Sequence, residues 1–153
     1  IWSFVPAFDG KQKYVVFEDM PKAGVYAQSE EFRAKWDRII AVRDDVKKVL
    51  EQARAEKVIG SSLEAKVTLY CSPEMAAFIA TIPVEQWEDL MIVSRLEAVE
   101  GEGGAHGEVE GLGVAVQHAE GEKCQRCWKY TADIGSDAQH PCLCARCAAV
   151  SAE

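Results

Sequence analysis

Residues 124–147 read CQRCWKYTADIGSDAQHPCLCARC, and this stretch contains two C-x-x-C turns separated by sixteen residues. A C-x-x-C turn directs two thiolates at one ion, and a second turn at this spacing completes a tetrahedral shell. Four sulfur ligands leave no position for a catalytic water, so the sequence predicts one structural Zn²⁺ per chain. The predicted ligands are Cys124, Cys127, Cys144 and Cys147.

The chain has six cysteines, so a framework of three disulfides is the alternative to a metal site. Paired C-x-x-C turns favour metal ligation in a reducing compartment over disulfides. Cys71 ends a strand-like run, where a thiol is typical as a small buried side chain. Cys142 leaves one ambiguity. It can replace Cys144 as a ligand, although only Cys144 forms the two-residue spacing with Cys147.

Upstream of the cysteines, a long amphipathic helix is predicted from Ser29 to about Ile59. Its apolar residues recur at steps of three and four, which is the period of a helix with one buried face. Ser29 is suited to the N-cap and Gly60 to the C-terminal stop. A helix of this length is too long for one wall of a small module, so we expect it to belong to a helical bundle.

Beyond Gly60 the apolar period changes from that of a helix to that of a strand, which predicts a small mixed α/β domain of about three strands. Strands are predicted at residues 65–71, 91–99 and 109–118, short helices at 73–79 and 83–90, and a flexible connection at 101–107. The predicted fold class is therefore α+β. It consists of a long helix from a helical bundle, then the small α/β domain, then a C-terminal zinc knuckle with four cysteine ligands.

The net charge, the apolar runs and the absence of known catalytic motifs limit the functions that the sequence is compatible with. The net charge is −8, with 17 basic and 25 acidic residues, which argues against a surface that binds nucleic acid throughout but leaves room for a local patch. No run of about 18 apolar residues exists, so no membrane partner is predicted. Neither a phosphate-loop motif nor G-x-S-x-G is present, and we predict no catalytic residue. Because the first residue is Ile1 and not Met, we expect the chain to be part of a longer protein.

The cysteine segment also carries side chains that suit RNA. Arg126, Trp128, Lys129 and Tyr130 crowd the first turn, and Arg146 lies inside the second. Unpaired bases stack on aromatic rings or guanidinium planes, and cations contact phosphates. Alternatively, the two aromatic side chains pack over the zinc module as its small core. For the three basic residues we favour RNA contacts, because charged side chains are seldom buried.

The run KCQRCWKY at residues 123–130, followed by DIG at 133–135 and LCARC at 143–147, resembles the C-terminal zinc peptide of bacterial isoleucyl-tRNA synthetase. The pattern of that family is approximately C-x-R-C-W-x-Y, then D-x-G, then L-C-x-R-C. This chain matches each of those positions. The resemblance implies that the same four cysteines are the zinc ligands.

Two segments upstream extend the resemblance. Residues 36–46 are similar to the W-[DE]…V-R-[DE]-x-V segment of the family, and residues 57–67 are similar to its K-x-I-G-x-S-L-E-A-x-V stretch. Residues 14–21 resemble the strand before the long helix, although Met20 stands where a Trp is usual, and we expect Tyr14–Phe17 to be extended. The resemblance thus covers nearly the whole chain.

The resemblance implies an organisation in three parts. Residues 1–60 are expected to be the end of a helical anticodon-binding domain, 61–118 a small α/β junction domain, and 119–153 the zinc-binding peptide. The implied partners are isoleucine tRNA, bound at its anticodon stem-loop, and the remainder of a cytoplasmic synthetase chain that acts in protein biosynthesis. The H-I-G-H and K-M-S-K-S motifs, which bind ATP in class I synthetases, are absent. This part is therefore expected to be inactive as a ligase on its own.

Two other interpretations stay open. One is a stand-alone zinc-ribbon protein that binds DNA or another protein, since similar zinc peptides terminate some DNA repair glycosylases. The long helix and the I-G-x-S-L-E-A stretch argue against it. The other is a packing or dimer element in which zinc serves as a staple.

Overall fold

The computed structural model describes residues 1–20, 24 and 27–151. They fall into two compact units, Ile1–Lys35 and Trp36–Glu153. The helices are α1 (Glu30–Ala55), α2 (Pro73–Ile79), α3 (Val84–Met91) and α4 (Ala145–Ser151). The strands are β1 (Ala65–Cys71), β2 (Arg95–Glu100), β3 (Ala105–His106), β4 (Leu112–His118), β5 (Glu122–Lys123) and β6 (Tyr130–Thr131). Among the described residues, none of the helices has the length and apolar character to cross a membrane.

The first unit contains two short 3₁₀ turns, Trp2–Phe4 and Val15–Phe17. The expectation of an extended Tyr14–Phe17 run is wrong, because the Phe17 amide donates to the Tyr14 carbonyl and closes a turn. Local i→i+3 bonds satisfy these backbone groups without a neighbouring strand. Pro21, at the end of the segment that resembles a strand, lies outside the described residues.

The long helix is confirmed, but it ends earlier than predicted. Its N-cap is Ser29, whose Oγ accepts from the Phe32 amide at 3.2 Å. The helix stops at Ala55, four residues before the predicted end. Lys57 adopts a left-handed conformation with φ 61°, and the amide of the next residue, Val58, donates to the Ala53 carbonyl at 2.9 Å. This is the Schellman arrangement, so the chain leaves the helix before Gly60 is reached.

The α+β class is confirmed by a four-stranded sheet in the order β2-β1-β4-β3. Strand β1 pairs parallel with β2 and antiparallel with β4, with Val67 opposite both Leu96 and Val116. The buried residues of β1 are those that the alternating pattern predicts, namely Ala65, Val67, Leu69 and Cys71. A separate two-stranded sheet, β5 with β6, lies in the cysteine segment.

The four-stranded sheet differs from the sequence-based expectation in its strand boundaries and in one additional strand. Strand β2 begins at Arg95, since α3 extends to Met91 and ends at Ile92 in a left-handed conformation. Strand β4 begins at Leu112, three residues later than predicted. Strand β3, which pairs with β4, lies in the stretch predicted to be a flexible connection. Hydrogen bonds to β4 order these residues, and such pairing across sequence is not visible in local composition.

The core of the second unit forms between α1, the sheet and the two short helices. Trp87 of α3 is fully buried, and its Nε1 donates to the Ile79 carbonyl at 3.0 Å. Its ring meets the edge of Phe78, over which the Arg38 guanidinium of α1 lies at 4.2 Å. The apolar side of α1 contributes Ile39, Val42, Val46, Leu50 and Ala53.

A buried carboxylate connects α1 to the segment that precedes β4. Asp45 is 3% exposed, and its Oδ2 accepts from the Val109 amide at 2.8 Å. Lys48 lies 3.3 Å from Oδ1. A Cβ at Gly107 would stand 2.2 Å from Asp45 Cγ, so only glycine fits against this carboxylate. Burial opposes ionisation, but the amides of Val109 and Glu108 hold the pKa of Asp45 below its usual value.

We predict that Asp45→Ala lowers the free energy of unfolding by about 2–3 kcal/mol, because the Val109 amide loses its charged acceptor. The matched control is Asp44→Ala, which removes an exposed carboxylate from the neighbouring position of the same helix. Since the folded pKa of Asp45 is depressed, its contribution is present above pH 3.8 and is lost as the pH falls through the folded value. Urea unfolding at neutral pH and below pH 3.8 measures both effects. A difference from wild type that does not shrink in acid would contradict the assignment.

Candidate metal centre

The four predicted zinc ligands converge at the end of the chain. Cys124 follows β5, Cys127 precedes β6, and Cys144 and Cys147 stand at the start of α4. Their four Sγ atoms all lie within 4.8 Å of one another. Among the described residues, this is the one cluster of three or more side chains of metal-binding type that is close enough to share an ion.

The geometry and the donor set fit zinc. Ligands about 2.3 Å from a tetrahedral ion stand about 3.8 Å apart. The sulfurs of Cys127 and Cys144 are 3.8 Å apart. Three of the four cysteines are buried and Cys127 is half-buried. Four sulfur ligands complete a tetrahedral shell, which leaves no coordination position for a water. Zinc held here by sulfur would fix the fold of the segment and would do no chemistry. Cys142 is exposed and is not a member of the cluster.

The surroundings of the thiols shift their ionisation in opposite directions. Burial opposes ionisation of Cys124, but the amides of Cys127, Cys144 and Arg126 outweigh it and lower the pKa of this thiol to about 6. Burial raises the pKa of Cys144 to about 12 and also raises that of Cys127. Cys124 is therefore available as a thiolate at neutral pH, and an ion must displace the protons of Cys127 and Cys144.

A cation lies beside this negative centre. Burial lowers the pKa of Arg146, but the charges of Cys127 and Cys147 outweigh burial and raise it above its usual value. Four thiolates around Zn²⁺ carry a net charge of about −2, which a neighbouring guanidinium offsets in part. Part of the charge of Arg146 is thus engaged by the metal centre itself.

Backbone hydrogen bonds shape the first turn. The Trp128 amide donates to the Cys124 carbonyl at 2.9 Å, and the Cys124 amide donates to the Lys129 carbonyl at 3.0 Å. To close this turn, Trp128 takes a left-handed conformation with φ 65°. That conformation costs a residue other than glycine about 1 kcal/mol. A large aromatic residue therefore occupies a backbone conformation that glycine would adopt with less strain. Trp128 is 59% exposed.

Asp133 and Gly135 join the two cysteine turns. The Asp133 carboxylate accepts from the Thr131 hydroxyl and from the Ala145 amide, and both bonds lower its pKa. Gly135 has φ 73°, and its amide donates to the Leu143 carbonyl at 3.1 Å. Sequence reasoning noted these residues as part of a pattern but assigned Asp133 no role. The sequence signal for that role is an acceptor side chain in the loop before a short helix.

The predicted RNA contacts divide into two groups. Arg126, Trp128 and Arg146 are exposed or nearly so. Lys129 and Tyr130 are engaged within the chain: Lys129 Nζ lies 3.0 Å from Asp89 Oδ1, and the Tyr130 ring meets the edge of His118 at 5.0 Å. The alternative of a core role for both aromatic side chains thus fits Tyr130 better than Trp128. RNA binding by all five residues stays a prediction.

Comparison with known proteins adds two findings. Residues 121–150 match a family described as a zinc finger found in FPG and IleRS. This match and the cysteine cluster together confirm the prediction of a zinc-binding centre.

The second finding is similarity along nearly the whole chain. The chain is 42% identical to the isoleucine–tRNA ligase of Latilactobacillus sakei over 98% of its own length, and 44% identical to that of Geobacillus thermodenitrificans over 97%. It is 42% identical to the isoleucine–tRNA ligase of Bacillus mycoides over 100% of its length. The chain spans only 16–17% of the length of these relatives. The predicted resemblance to bacterial isoleucyl-tRNA synthetases is confirmed.

We predict that the wild-type chain purifies with one zinc ion and that Cys144→Ser loses it to a chelator that the wild type resists, because an incomplete sulfur shell binds zinc more weakly. Cys142→Ser is the matched control and should keep the ion, since this thiol lies outside the cluster. Metal analysis and counting of reactive thiols before and after chelation measure both. Zinc retained by Cys144→Ser but lost by Cys142→Ser would show that the ligand set is misassigned.

Proposed function

We propose that the chain is the C-terminal, tRNA-binding part of an isoleucine–tRNA ligase and that it holds the anticodon stem-loop of isoleucine tRNA. The observation that carries this proposal is identity of 42–44% over at least 97% of the chain. A zinc finger borrowed by an unrelated protein would give similarity over residues 121–150 alone. The long helix and the sheet match as well, which favours a ligase over a stand-alone zinc ribbon.

In this proposal, the whole cytoplasmic enzyme joins isoleucine to its tRNA with ATP, and residues 1–153 contribute binding and orientation. An enzyme that grips the anticodon loop fixes where the distant acceptor end lies, and holding reactants in place lowers the entropic part of a barrier. The zinc ion would supply no chemistry beyond holding the cysteine turns. We retain the division into a helical part (1–60), a junction domain (61–118) and a zinc peptide (119–153) as part of the proposal.

The exposed residues of the zinc module are the preferred RNA contacts. Trp128 offers an accessible ring, and the Lys123 ammonium lies 5.7 Å from the centre of that ring. Arg126 lies on the same turn, where Nη1 reaches the Cys147 carbonyl only at 3.5 Å. Unpaired bases stack on such rings for about 1–3 kcal/mol each. Because the net charge of the chain is −8, a local contact of this kind suits it better than a broad basic surface.

The other three candidates are already engaged within the chain. Arg146 is exposed but lies in the field of the thiolates. Lys129 pairs with two carboxylates, and Tyr130 packs on His118. We therefore rank Arg126 and Trp128 first, Arg146 next, and Lys129 and Tyr130 last as direct contacts.

We predict that Trp128→Ala weakens binding of the isoleucine tRNA anticodon stem-loop about tenfold without changing its salt dependence, because stacking is lost and no charge is removed. Arg126→Ala and Arg146→Ala should weaken binding and lower the slope of log K against log salt by about 0.7 each. Fluorescence anisotropy of the labelled stem-loop, over a range of about 50 to 200 mM salt, measures affinity and slope.

The matched control is Arg38→Met, because this guanidinium is engaged by Glu74 and Phe78 and should not contact RNA. Binding like that of the wild type in all three test variants would remove these residues from the interface. Equal competition by duplex DNA of the same charge would favour the zinc-ribbon alternative. An anticodon loop without protection in footprinting would favour the packing alternative.

A further inference from the structure

A set of polar contacts joins the zinc module, residues 119–151, to the α/β part of the same compact unit. Lys129, at the end of the first cysteine turn, directs its ammonium at α3. Its Nζ lies 3.0 Å from Asp89 Oδ1 and 3.4 Å from Glu88 Oε2. The side chains of Lys129 and Glu88 are only 19% and 11% exposed. This pair is therefore more shielded from water than an ordinary surface ion pair, whose net contribution is small.

Glu88 is itself fixed in place. Its Oε1 accepts from the Leu96 amide of β2 at 3.4 Å. Its neighbour in α3 is the fully buried Trp87. The carboxylate thus belongs to the rigid core of the α/β part, and a lysine bound to it takes its position from that core.

A second contact lies one residue further along. The Tyr130 amide donates to Ser94 Oγ at 2.7 Å, and the same hydroxyl donates to the Leu63 carbonyl. Ser94 is buried and stands just before β2. The Ser94 hydroxyl thereby connects residues 59–65, the I-G-S-S-L-E-A segment, to the zinc module. The Ala119 amide, which donates to the Glu64 carbonyl at 2.7 Å, holds the start of the module to the same segment.

These contacts leave Trp128 between two anchored residues. Cys127 before it belongs to the metal-binding cluster, and Lys129 after it is held by Glu88 and Asp89. The left-handed backbone of Trp128 and its exposed ring take their position from these neighbours. Preorganised side chains bind with a smaller loss of conformational entropy than mobile ones.

We propose that Glu88, Lys129 and Ser94 are positioning residues, which dock the zinc module on the α/β part and fix the orientation in which Trp128 is presented to RNA. The docking rests on the contacts above, and its consequence for RNA rests on the proposed function. Lys129 then acts through Glu88 and not through a phosphate. This assignment differs from the sequence-based prediction that Lys129 contacts RNA directly.

The first test uses the zinc-loaded chain without RNA and follows amide hydrogen exchange of Tyr130 by NMR. Lys129→Met should exchange about tenfold faster than wild type, because a shielded, charge-assisted contact is lost. Glu88→Gln should also exchange faster, and the double variant should exchange no faster than Lys129→Met alone, since both remove one interaction. Lys129→Arg, which keeps a cation, should restore most of the protection. The matched control is Glu85→Gln, an exposed carboxylate of the same helix.

Additive effects of the two substitutions, or exchange like that of the wild type in Lys129→Met, would overturn the docking contact. Ser94→Ala provides a neutral check, because it removes the acceptor of the Tyr130 amide without altering charge. If this variant folds and still protects that amide as the wild type does, the docking assignment is also wrong.

The second test measures stem-loop affinity and its salt slope. Positioning predicts that Glu88→Gln and Lys129→Met both weaken binding several-fold while the slope stays unchanged. A direct phosphate contact predicts instead that Lys129→Met lowers the slope by about 0.7 and that Glu88→Gln leaves or strengthens binding, because it removes a negative charge. That second pattern would overturn the proposal. Failure of the wild type to bind the stem-loop would overturn the proposed function and this consequence, whereas the exchange data judge the docking contact independently.

Discussion

The convergence of four cysteine sulfurs within 4.8 Å is the constraint on which the fold of residues 119–151 depends. Around these sulfurs the apolar cluster is small, with Ile134 and Leu143 as its partly buried members besides the cysteines. A module of this size cannot bury enough apolar surface to order itself. An ion bound by sulfur supplies the missing stabilisation, and the amides aimed at Cys124 prepare one thiolate for it. The positions of the surface side chains on the two cysteine turns therefore depend on the metal centre.

The α/β part is organised in a different way, by burial of side chains from α1, the sheet and α3. The two centres of organisation meet at the I-G-S-S-L-E-A segment. Glu64 folds back so that its carboxylate accepts from the Gly60 amide at 2.7 Å, which shapes the segment, while the carbonyls of Leu63 and Glu64 accept from Ser94 and Ala119. This segment therefore acts mainly through its backbone, whose conformation places the carbonyls of Leu63 and Glu64. This role of the backbone explains how a stretch without catalytic or metal-binding side chains can serve the zinc module.

The sequence predicts correctly those features that depend on residues close together in the chain. The C-x-x-C spacing predicts the cysteine cluster, and alternation over residues 65–71 predicts the buried face of β1. Sequence-based prediction failed where a feature depends on a partner far away in the chain, and it also misplaced the end of α1. The left-handed turn at Lys57, and not Gly60, ends α1. Order in β3 comes from β4. Asp45 looks like any carboxylate on a charged helix, and its amide partner is 64 positions away.

The same limit applies to the candidate site. Lys129 has the charge expected of an RNA contact. The carboxylates that bind its ammonium, however, lie 40 and 41 positions earlier in the chain. No periodicity links residues at that separation. For Trp128 the sequence left core packing and exposure open, and the structure shows a residue that is 59% exposed at a left-handed turn.

The order of elements along the chain has a consequence for synthesis on the ribosome. Strand β1 lies between β2 and β4, so the sheet lacks one neighbour of its central strand until residues 112–118 have emerged. The cysteines follow directly after β4. Because chains are made from the N-terminal side, the residues that form the surface with Glu88 and Ser94 are made before the last thiol, Cys147. The partners of Lys129 and Tyr130 are thus already made when the four thiols come together.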